Sequence, residues 1–148
     1  MEGKIDYLVA CASSGGTISG VGQYLKEKNS AIKIIMADPV GSVYYGYFKN
    51  GVINPKDIGK YLVEGAGKNY ICRCMDFSIV DDVIRFRDED MLSTLKDLVN
   101  EEGILAGGSS GAALFVAKQL VNQIQHDANI VVIMPDSGLK YISKFQTS

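Results

Sequence analysis

The segment Tyr7-Leu-Val-Ala-Cys-Ala-Ser-Ser-Gly-Gly-Thr-Ile-Ser-Gly-Val-Gly-Gln-Tyr-Leu25 decides the fold class of this chain. Its first five residues, Tyr7 to Cys11, form a short strand-like run, and a Ser/Gly turn follows them. Beyond the turn, apolar side chains recur at helical spacing, at Ile18, Val21 and Leu25. The segment therefore predicts a strand, a tight turn and a helix.

The rest of the chain repeats this alternation. Apolar runs at Ile32 to Ala37 and Ile130 to Met134 suit strands that are buried on both faces. Further strands are predicted at Tyr61 to Glu64 and at Ile79 to Phe86. Alternating strands and helices predict an α/β fold, with a parallel-rich sheet and helices on both of its faces.

Three more helices are predicted. One starts at Asp88 as its N-cap and stops at Gly103, and another carries apolar positions from Ala113 to Ile124. A last helix carries Tyr141, Ile142 and Phe145. The segment Ser42 to Lys60 has no clean period, which predicts a loop with one helical turn.

Length and charge narrow the functional classes. A chain of 148 residues can bury a substantial core, and 47% hydrophobic residues argue against disorder. The formal net charge is -2, and the basic residues are scattered, so we expect no nucleic-acid partner. The sequence contains no run that suits a membrane span and no signal-peptide pattern, which favours a cytoplasmic protein. Cys11, Cys72 and Cys74 fit neither a disulfide framework nor a zinc site, so we expect idle thiols.

Three Gly/Ser turns are candidate ligand sites, because ligands collect at the carboxyl ends of parallel strands. They are Ala12 to Thr17, Gly107 to Gly111 and Pro135 to Gly138. In the first, glycines let successive N–H groups converge on an anion while Ser13, Ser14 and Thr17 add hydroxyl donors. This turn predicts a phosphate site, although Gly and Ser also make ordinary turns.

The second turn permits another interpretation, because Gly107-x-Ser109-x-Gly111 fits the nucleophile elbow of serine hydrolases. A hydrolase needs a base, and His126 is the only histidine. It lies in a polar stretch before Asp136, whereas those hydrolases run Ser, acid, His along the chain. One His and a C-x-C pair are too few for a metal site. The adjacent acids Asp81 and Asp82 indicate solvated surface.

Five motifs in the same order resemble the β-family of pyridoxal-phosphate enzymes, the cystathionine β-synthase and cysteine synthase group. They span the whole chain: Ala12-Ser-Ser-Gly-Gly-Thr-Ile-Ser-Gly20, Ile35-Met-Ala-Asp-Pro39 with Gly41-Ser42, Glu64-Gly-Ala-Gly67, Gly103-Ile-Leu-Ala-Gly-Gly-Ser-Ser-Gly-Ala112, and Ile133-Met-Pro-Asp-Ser137 with Tyr141 to Phe145.

The resemblance implies the fold of the tryptophan synthase β-subunit, fold type II, and pyridoxal 5'-phosphate as cofactor. It places the cofactor phosphate on Ser13, Ser14, Gly15, Gly16 and Thr17. Ser109 would hydrogen-bond the pyridine nitrogen, and Gly65 and Ala66 would line the substrate pocket. A neutral hydroxyl at the ring nitrogen suits β-replacement on serine or an activated serine, with a thiol or sulfide as second substrate.

The chain also departs from the family. The Schiff-base lysine segment and the Ser-Gly-Asn-Thr-Gly substrate loop have no counterpart here, which predicts that residues 1–148 are the C-terminal part of a catalytic domain and inactive alone. Lys68 stands where relatives carry an aromatic or small residue. The resemblance implies a homodimeric parent enzyme. The alternatives are a non-catalytic fragment that binds a phosphate ligand or a partner chain, and the hydrolase built on Ser109.

Overall fold

Four parallel strands form one sheet within residues 3–141, the part of the chain that the computed structural model describes. They are β1 (Tyr7–Cys11), β2 (Lys33–Pro39), β3 (Asp82–Phe86) and β4 (Ile130–Val132). Their order in the sheet is β3-β2-β1-β4, so the first strand of the chain lies inside the sheet. The predicted parallel α/β architecture is confirmed.

Helices cover both faces of the sheet. They are α1 (Gly16–Lys28), α2 (Tyr44–Asn50), α3 (Asp88–Glu102) and α4 (Gly108–Val121). Val9 and Ile35 pack with side chains of α3 and α4, whereas Leu8 and Ile34 pack with side chains of α1 and α2. Successive strand residues thus enter opposite clusters, as the pleat requires, and both sides of β1 and β2 are buried.

The predicted α3 is correct to within one residue. It ends at Gly103, whose φ of 67° closes the helix in the left-handed region. Its N-cap is Arg87 rather than Asp88, and the Asp90 carboxylate accepts from the Arg87 N–H at 2.8 Å. Asp88 instead accepts a hydrogen bond from the Leu62 N–H at 2.9 Å. The carboxylate that the sequence predicts as the cap therefore binds a long-range partner, and Asp90 caps the helix locally.

Four predicted elements need correction. Tyr61 to Glu64 form no strand, because this segment pairs with no strand of the sheet and its Leu62 N–H is bound by Asp88. The strand predicted from Ile79 begins at Asp82, after a 3-10 turn over Phe77–Ile79. The segment Ser42 to Lys60 contains the seven-residue α2 and a 3-10 turn at Pro55–Asp57. β4 ends at Val132, two residues before the predicted end.

The segment after β4 and the adjacent acids Asp81 and Asp82 also differ from expectation. A 3-10 turn occupies Gly138–Tyr141, while Ile142 and Phe145 lie outside the described residues. Asp81 is not simply solvated: it accepts from the Ile34 N–H at 2.8 Å and pairs with Lys26 at 2.7 Å. Burial opposes its charge, but these donors hold the pKa of its carboxyl below the usual range. None of the helices within residues 3–141 has the length and apolar composition of a membrane-spanning segment.

Candidate functional site

A cavity of about 380 Å³ opens where β1 and β4 end and where α1 and α4 begin. Its size falls in the range of small-molecule sites. It is lined by Cys11, Ala12, Ser13, Ser14, Gly15, Thr17, Ile18, Glu64, Gly65, Ser109, Ile133, Pro135, Asp136 and Tyr141. Residues far apart in the chain therefore meet at the carboxyl ends of parallel strands, as the sheet rule requires.

One wall of the cavity is the head of α1. Its N-cap, Gly15, has a φ of 88°, and a Cβ there would lie 2.6 Å from the Met75 Cα, so only glycine fits. No side chain caps this helix, and its first turn carries no acidic residue. Ser14 and Thr17 are exposed beside the N–H groups of that turn. Free N–H groups, hydroxyls and the positive helix end together suit an anion.

Two contacts hold this turn in place. The Tyr44 hydroxyl, on a buried side chain of α2, donates to the Ser13 carbonyl. The Gly67 N–H donates to the Ala12 carbonyl at 2.8 Å, which ties the Glu64 to Gly67 loop to the same turn. The turn and the loop therefore form one rigid rim.

The opposite wall is the head of α4, where Ser109 is 6% exposed. The Cys11 thiol donates to the Ser109 carbonyl at 3.3 Å, which links β1 to this helix. Burial and the nearby Asp38 charge raise the pKa of the Cys11 thiol well above its usual range, against a backbone donor from Ala113. Cys11 therefore serves as a neutral thiol in the cavity wall, in agreement with the expectation of an idle cysteine.

The remaining predicted site residues do not all line the first cavity. Gly65, with a φ of 81°, lines this cavity and also a second one of about 720 Å³, which is bordered mainly by residues 58–70. Ala66 lines only the second cavity and is buried, and Gly16 is exposed as the first residue of α1 without lining the first cavity. The structure thus brings Ser13, Ser14, Gly15, Thr17, Gly65 and Ser109 together.

Sequence reasoning assigned no role to Asp136, Tyr141 or Glu64, which line the same cavity. The Tyr141 hydroxyl donates to the Asp136 Oδ2 at 3.0 Å. Burial, this hydrogen bond and the charges of Asp136 and Glu64 raise the pKa of Tyr141. The turn Pro135 to Gly138 was the signal in the sequence, since it follows a strand as the other two turns do.

The hydrolase interpretation finds no support in this geometry. His126 is exposed and does not line the cavity around Ser109. Within residues 3–141, no histidine borders the cavity, so Ser109 has no histidine base there. Within the same described residues, no three His, Cys, Asp or Glu side chains are grouped to hold a metal ion.

Residues 1–136 match the family model described as pyridoxal-phosphate dependent enzyme. Cystathionine β-synthase of Apis mellifera is 42% identical over 97% of this chain and 28% of its own length. An O-acetylserine dependent cystathionine β-synthase of Bacillus subtilis is 38% identical, over 97% of this chain and 44% of its own length. The chain thus spans less than half of these relatives.

Solved structures agree with the sequence relatives. O-acetylserine sulfhydrylase isoform 3 from Entamoeba histolytica superposes with a TM-score of 0.86 at 26% identity, over 96% of this chain and 40% of that one. O-ureido-L-serine synthase gives a TM-score of 0.82 at 25% identity, over 96% and 42%. The ordered motifs, the fold and the match over residues 1–136 lead to one conclusion: the chain belongs to the family of pyridoxal-phosphate dependent enzymes.

Proposed function

We propose that residues 1–148 form the C-terminal part of the catalytic domain of a β-replacement enzyme in sulfur amino-acid metabolism. The enzyme would act on serine or an activated serine and on a thiol or sulfide. One observation carries this proposal: a single cavity joins the uncapped head of α1, with its Ser and Thr hydroxyls, to the Ser109 hydroxyl on the opposite wall. Pyridoxal phosphate needs a phosphate site and a partner for its pyridine nitrogen, and in this proposal the two walls would supply them.

Each wall has a separate task in this proposal. The N–H groups of the α1 head, with Ser14 and Thr17, would hold the phosphate, and Gly15 would allow the turn to close around it. Ser109 would face the ring nitrogen with a hydroxyl, which holds the ring without an ion pair. When bound, the cofactor supplies the electron sink that loss of a β-substituent requires.

The substrate side of the proposal rests on the loop that follows Val63. Gly65 lies at the junction of the two cavities, and its backbone would line the place of the reacting amino acid. Lys68 lies on the second cavity, where its ammonium group is 5.8 Å from the Tyr70 ring centroid. The second cavity would admit the thiol or sulfide, and Lys68 would influence which one enters.

In this proposal the Schiff-base lysine comes from outside this chain. No lysine is among the described residues that line the first cavity. Several lysines elsewhere are engaged on the surface, as Lys26 is with Asp81 and Lys118 is with Asp97. The proposal therefore includes a longer parent enzyme, homodimeric and cytoplasmic, of which this chain alone is inactive. A fragment that only binds a phosphate ligand or a partner chain is the rival.

The test measures binding of inorganic phosphate and of pyridoxine 5'-phosphate, which has an alcohol in place of the aldehyde. Ser14→Ala with Thr17→Ala should weaken both ligands by around 1–3 kcal/mol, the scale of lost hydrogen bonds to a charged group. Ser78→Ala, on an exposed 3-10 turn, is the matched hydroxyl deletion and should leave both affinities unchanged. Equal affinities in all three proteins would contradict the proposal.

A second measurement concerns the lysine. The purified chain is mixed with pyridoxal phosphate, reduced with borohydride and digested for peptide mapping. Scattered, low-level labelling and no turnover of serine with a thiol are expected. One stoichiometric lysine adduct together with turnover would contradict the half-domain proposal.

A further inference from the structure

A carboxylate without an assigned role stands at the Ser109 end of the cavity. Asp136 lines the cavity, and its Oδ2 accepts the Tyr141 hydroxyl at 3.0 Å. Its Oδ1 is buried and has no hydrogen-bond partner among residues 3–141. A buried, unpaired carboxylate oxygen is costly, so its position needs an explanation beyond packing.

The backbone holds this carboxylate against the head of α4. The Gly107 N–H donates to the Asp136 carbonyl at 3.0 Å, and the Gly138 N–H donates to the Leu105 carbonyl at 3.1 Å. Ala106 and Ser137 form an antiparallel bridge between the same two segments. A Cβ on Gly107 would collide with the Asp136 Oδ1. The N-cap of α4, Gly107, lies two residues before Ser109. Because this residue is glycine, the Asp136 carboxylate can lie against the head of the helix.

This arrangement has an electrostatic consequence. No side chain caps α4, and its first turn contains no acidic residue, so no residue of the helix itself offsets the partial positive charge at its N-terminal end. That charge disfavours a proton on any nitrogen that faces Ser109. The Asp136 carboxylate lies at the same end and acts in the opposite sense. Tyr141 lessens its effect by donating to Oδ2. Among residues 3–141, the other titratable side chains on the cavity are Cys11 and Glu64.

We propose that Asp136 is a positioning residue that raises the proton affinity of the pyridine nitrogen held by Ser109, and that Tyr141 moderates this effect. The inference rests on the proposed function, because it assumes that the ring nitrogen faces Ser109. Ser109 alone would leave the pyridine nitrogen unprotonated. The Asp136 carboxylate in the cavity wall would make protonation of this nitrogen more favourable.

The experiment uses the full chain with pyridoxine 5'-phosphate labelled with ¹⁵N in the ring. The ¹⁵N chemical shift reports protonation of the ring nitrogen and requires no turnover. Relative to the unmodified chain, Asp136→Asn should lower the pH midpoint of the bound ring by about one unit, the effect of removing one nearby charge. Tyr141→Phe should raise the midpoint by a few tenths of a unit, because the carboxylate then loses a hydrogen bond that disperses its charge.

Asp97→Asn is the matched control, since it removes one carboxylate from the surface of α3 and should not move the midpoint. Equal midpoints in Asp136→Asn and Asp97→Asn, with the probe bound, would overturn the inference and leave the proposed function standing. No binding of the probe to the unmodified chain would instead contradict the proposed function. If Asp136→Asn does not fold, Tyr141→Phe decides: an upward shift supports the inference, and an unchanged midpoint overturns it.

Discussion

The heads of α1 and α4 are built from the same residue types and lie on opposite walls of one cavity, yet they differ in their surroundings. Both have Gly/Ser segments at their N-terminal ends, and neither has a side-chain cap. Ser13 to Gly15 form a turn before α1, whereas Gly108 to Gly111, which the sequence predicts as a turn, are the first residues of α4 itself. At α1, Ser14, Gly16 and Thr17 are exposed and no acid is in the first turn. At α4, all residues from Gly108 to Ala113 are buried, and the carboxylate of Asp136 lies against the N-cap.

The difference shows that glycine serves two purposes in this fold. Gly15 adopts the left-handed conformation that starts α1 at the edge of the cavity. Gly111 has an ordinary helical backbone conformation, so its role is different. A Cβ there would lie 2.5 Å from the Leu95 Cγ, and the absence of that Cβ permits close packing of α3 on α4. Similar Gly/Ser composition therefore produces an exposed, uncapped helix head in one place and a packed wall with one hydroxyl in the other.

The largest expected effect is at the α1 head. Gly15→Ala forces a left-handed φ on alanine and places a Cβ 2.6 Å from the backbone of Met75. We expect a loss of about 3 kcal/mol or more in the free energy of unfolding, together with loss of phosphate binding. Urea unfolding and a phosphate titration measure the two effects.

Gly20→Ala in the same helix is the control. Nothing lies within 4 Å of a Cβ at Gly20, and this glycine is exposed within α1. Alanine should therefore stabilise the chain by about 0.5–1 kcal/mol through helix propensity. Equal destabilisation by both substitutions would show that the turn geometry is not what makes Gly15 necessary.

The stability of the sheet should depend on pH through Asp38 of β2. Asp38 is fully buried in β2, one position beyond the residue that pairs with Cys11. Burial raises its pKa from 3.8 to about 6, against hydrogen bonds from Ser42 and the Tyr45 N–H and the charge of Arg85. Because the folded state favours the protonated form, the stabilisation from Asp38 is present below pH 4 and is lost as the pH rises to about 6.

Asp38→Asn removes this titration. Relative to the unmodified chain, the variant should gain up to about 3 kcal/mol in unfolding free energy between pH 4 and pH 7. Urea unfolding at the two pH values measures the change, and Asp97→Asn is the surface control. Parallel pH profiles for the unmodified chain and Asp38→Asn would contradict the assigned pKa.

A smaller effect is expected from crowding the α4 head. Gly111→Ala places a Cβ 2.5 Å from the Leu95 Cγ and 3.0 Å from the Met91 carbonyl oxygen. We expect a loss of about 2 kcal/mol in stability, the usual cost of overpacking a core. When Leu95 is already replaced by alanine, adding Gly111→Ala should cost less stability than it does in the unmodified chain. Independent, additive losses would refute the packing explanation.

The smallest effect separates the two heads by ligand. Ser109→Ala should leave the affinity for inorganic phosphate unchanged, because the proposed phosphate site is the α1 head on the opposite wall. The affinity for pyridoxine 5'-phosphate should fall by about 0.5–1.5 kcal/mol, the value of one hydrogen bond. Isothermal titration with the two ligands checks this difference. An equal loss for both ligands would place the phosphate against α4 instead.

Much of this molecule was predictable from the sequence because its signals are local. The run Tyr7 to Cys11, the following turn and the apolar spacing to Leu25 predicted β1, the turn and α1 without tertiary information. Gly103 predicted the end of α3 for the same reason, since a left-handed residue closes a helix wherever it occurs. The ordered motifs identified the family, which the comparisons confirm.

The errors have long-range causes. The segment Tyr61 to Glu64 has a strand-like composition, but the Asp88 carboxylate binds its backbone away from the sheet. Asp81 has the appearance of surface charge, but the Ile34 N–H and Lys26 surround its carboxylate. Periodicity contains no information about such partners, because they are tens of residues away in the chain.

The sequence by itself determined the alternation of strands and helices, the Gly/Ser turn before α1 and the family, since each depends on side chains that are neighbours along the chain or on motif order. Only the tertiary structure decided that Cys11 and Ser109, 98 residues apart, share one wall, and that Asp136 rather than an acid of α4 lies at the head of that helix. The physical reason is the parallel sheet: it aligns the carboxyl ends of its strands at one edge, so distant turns converge there.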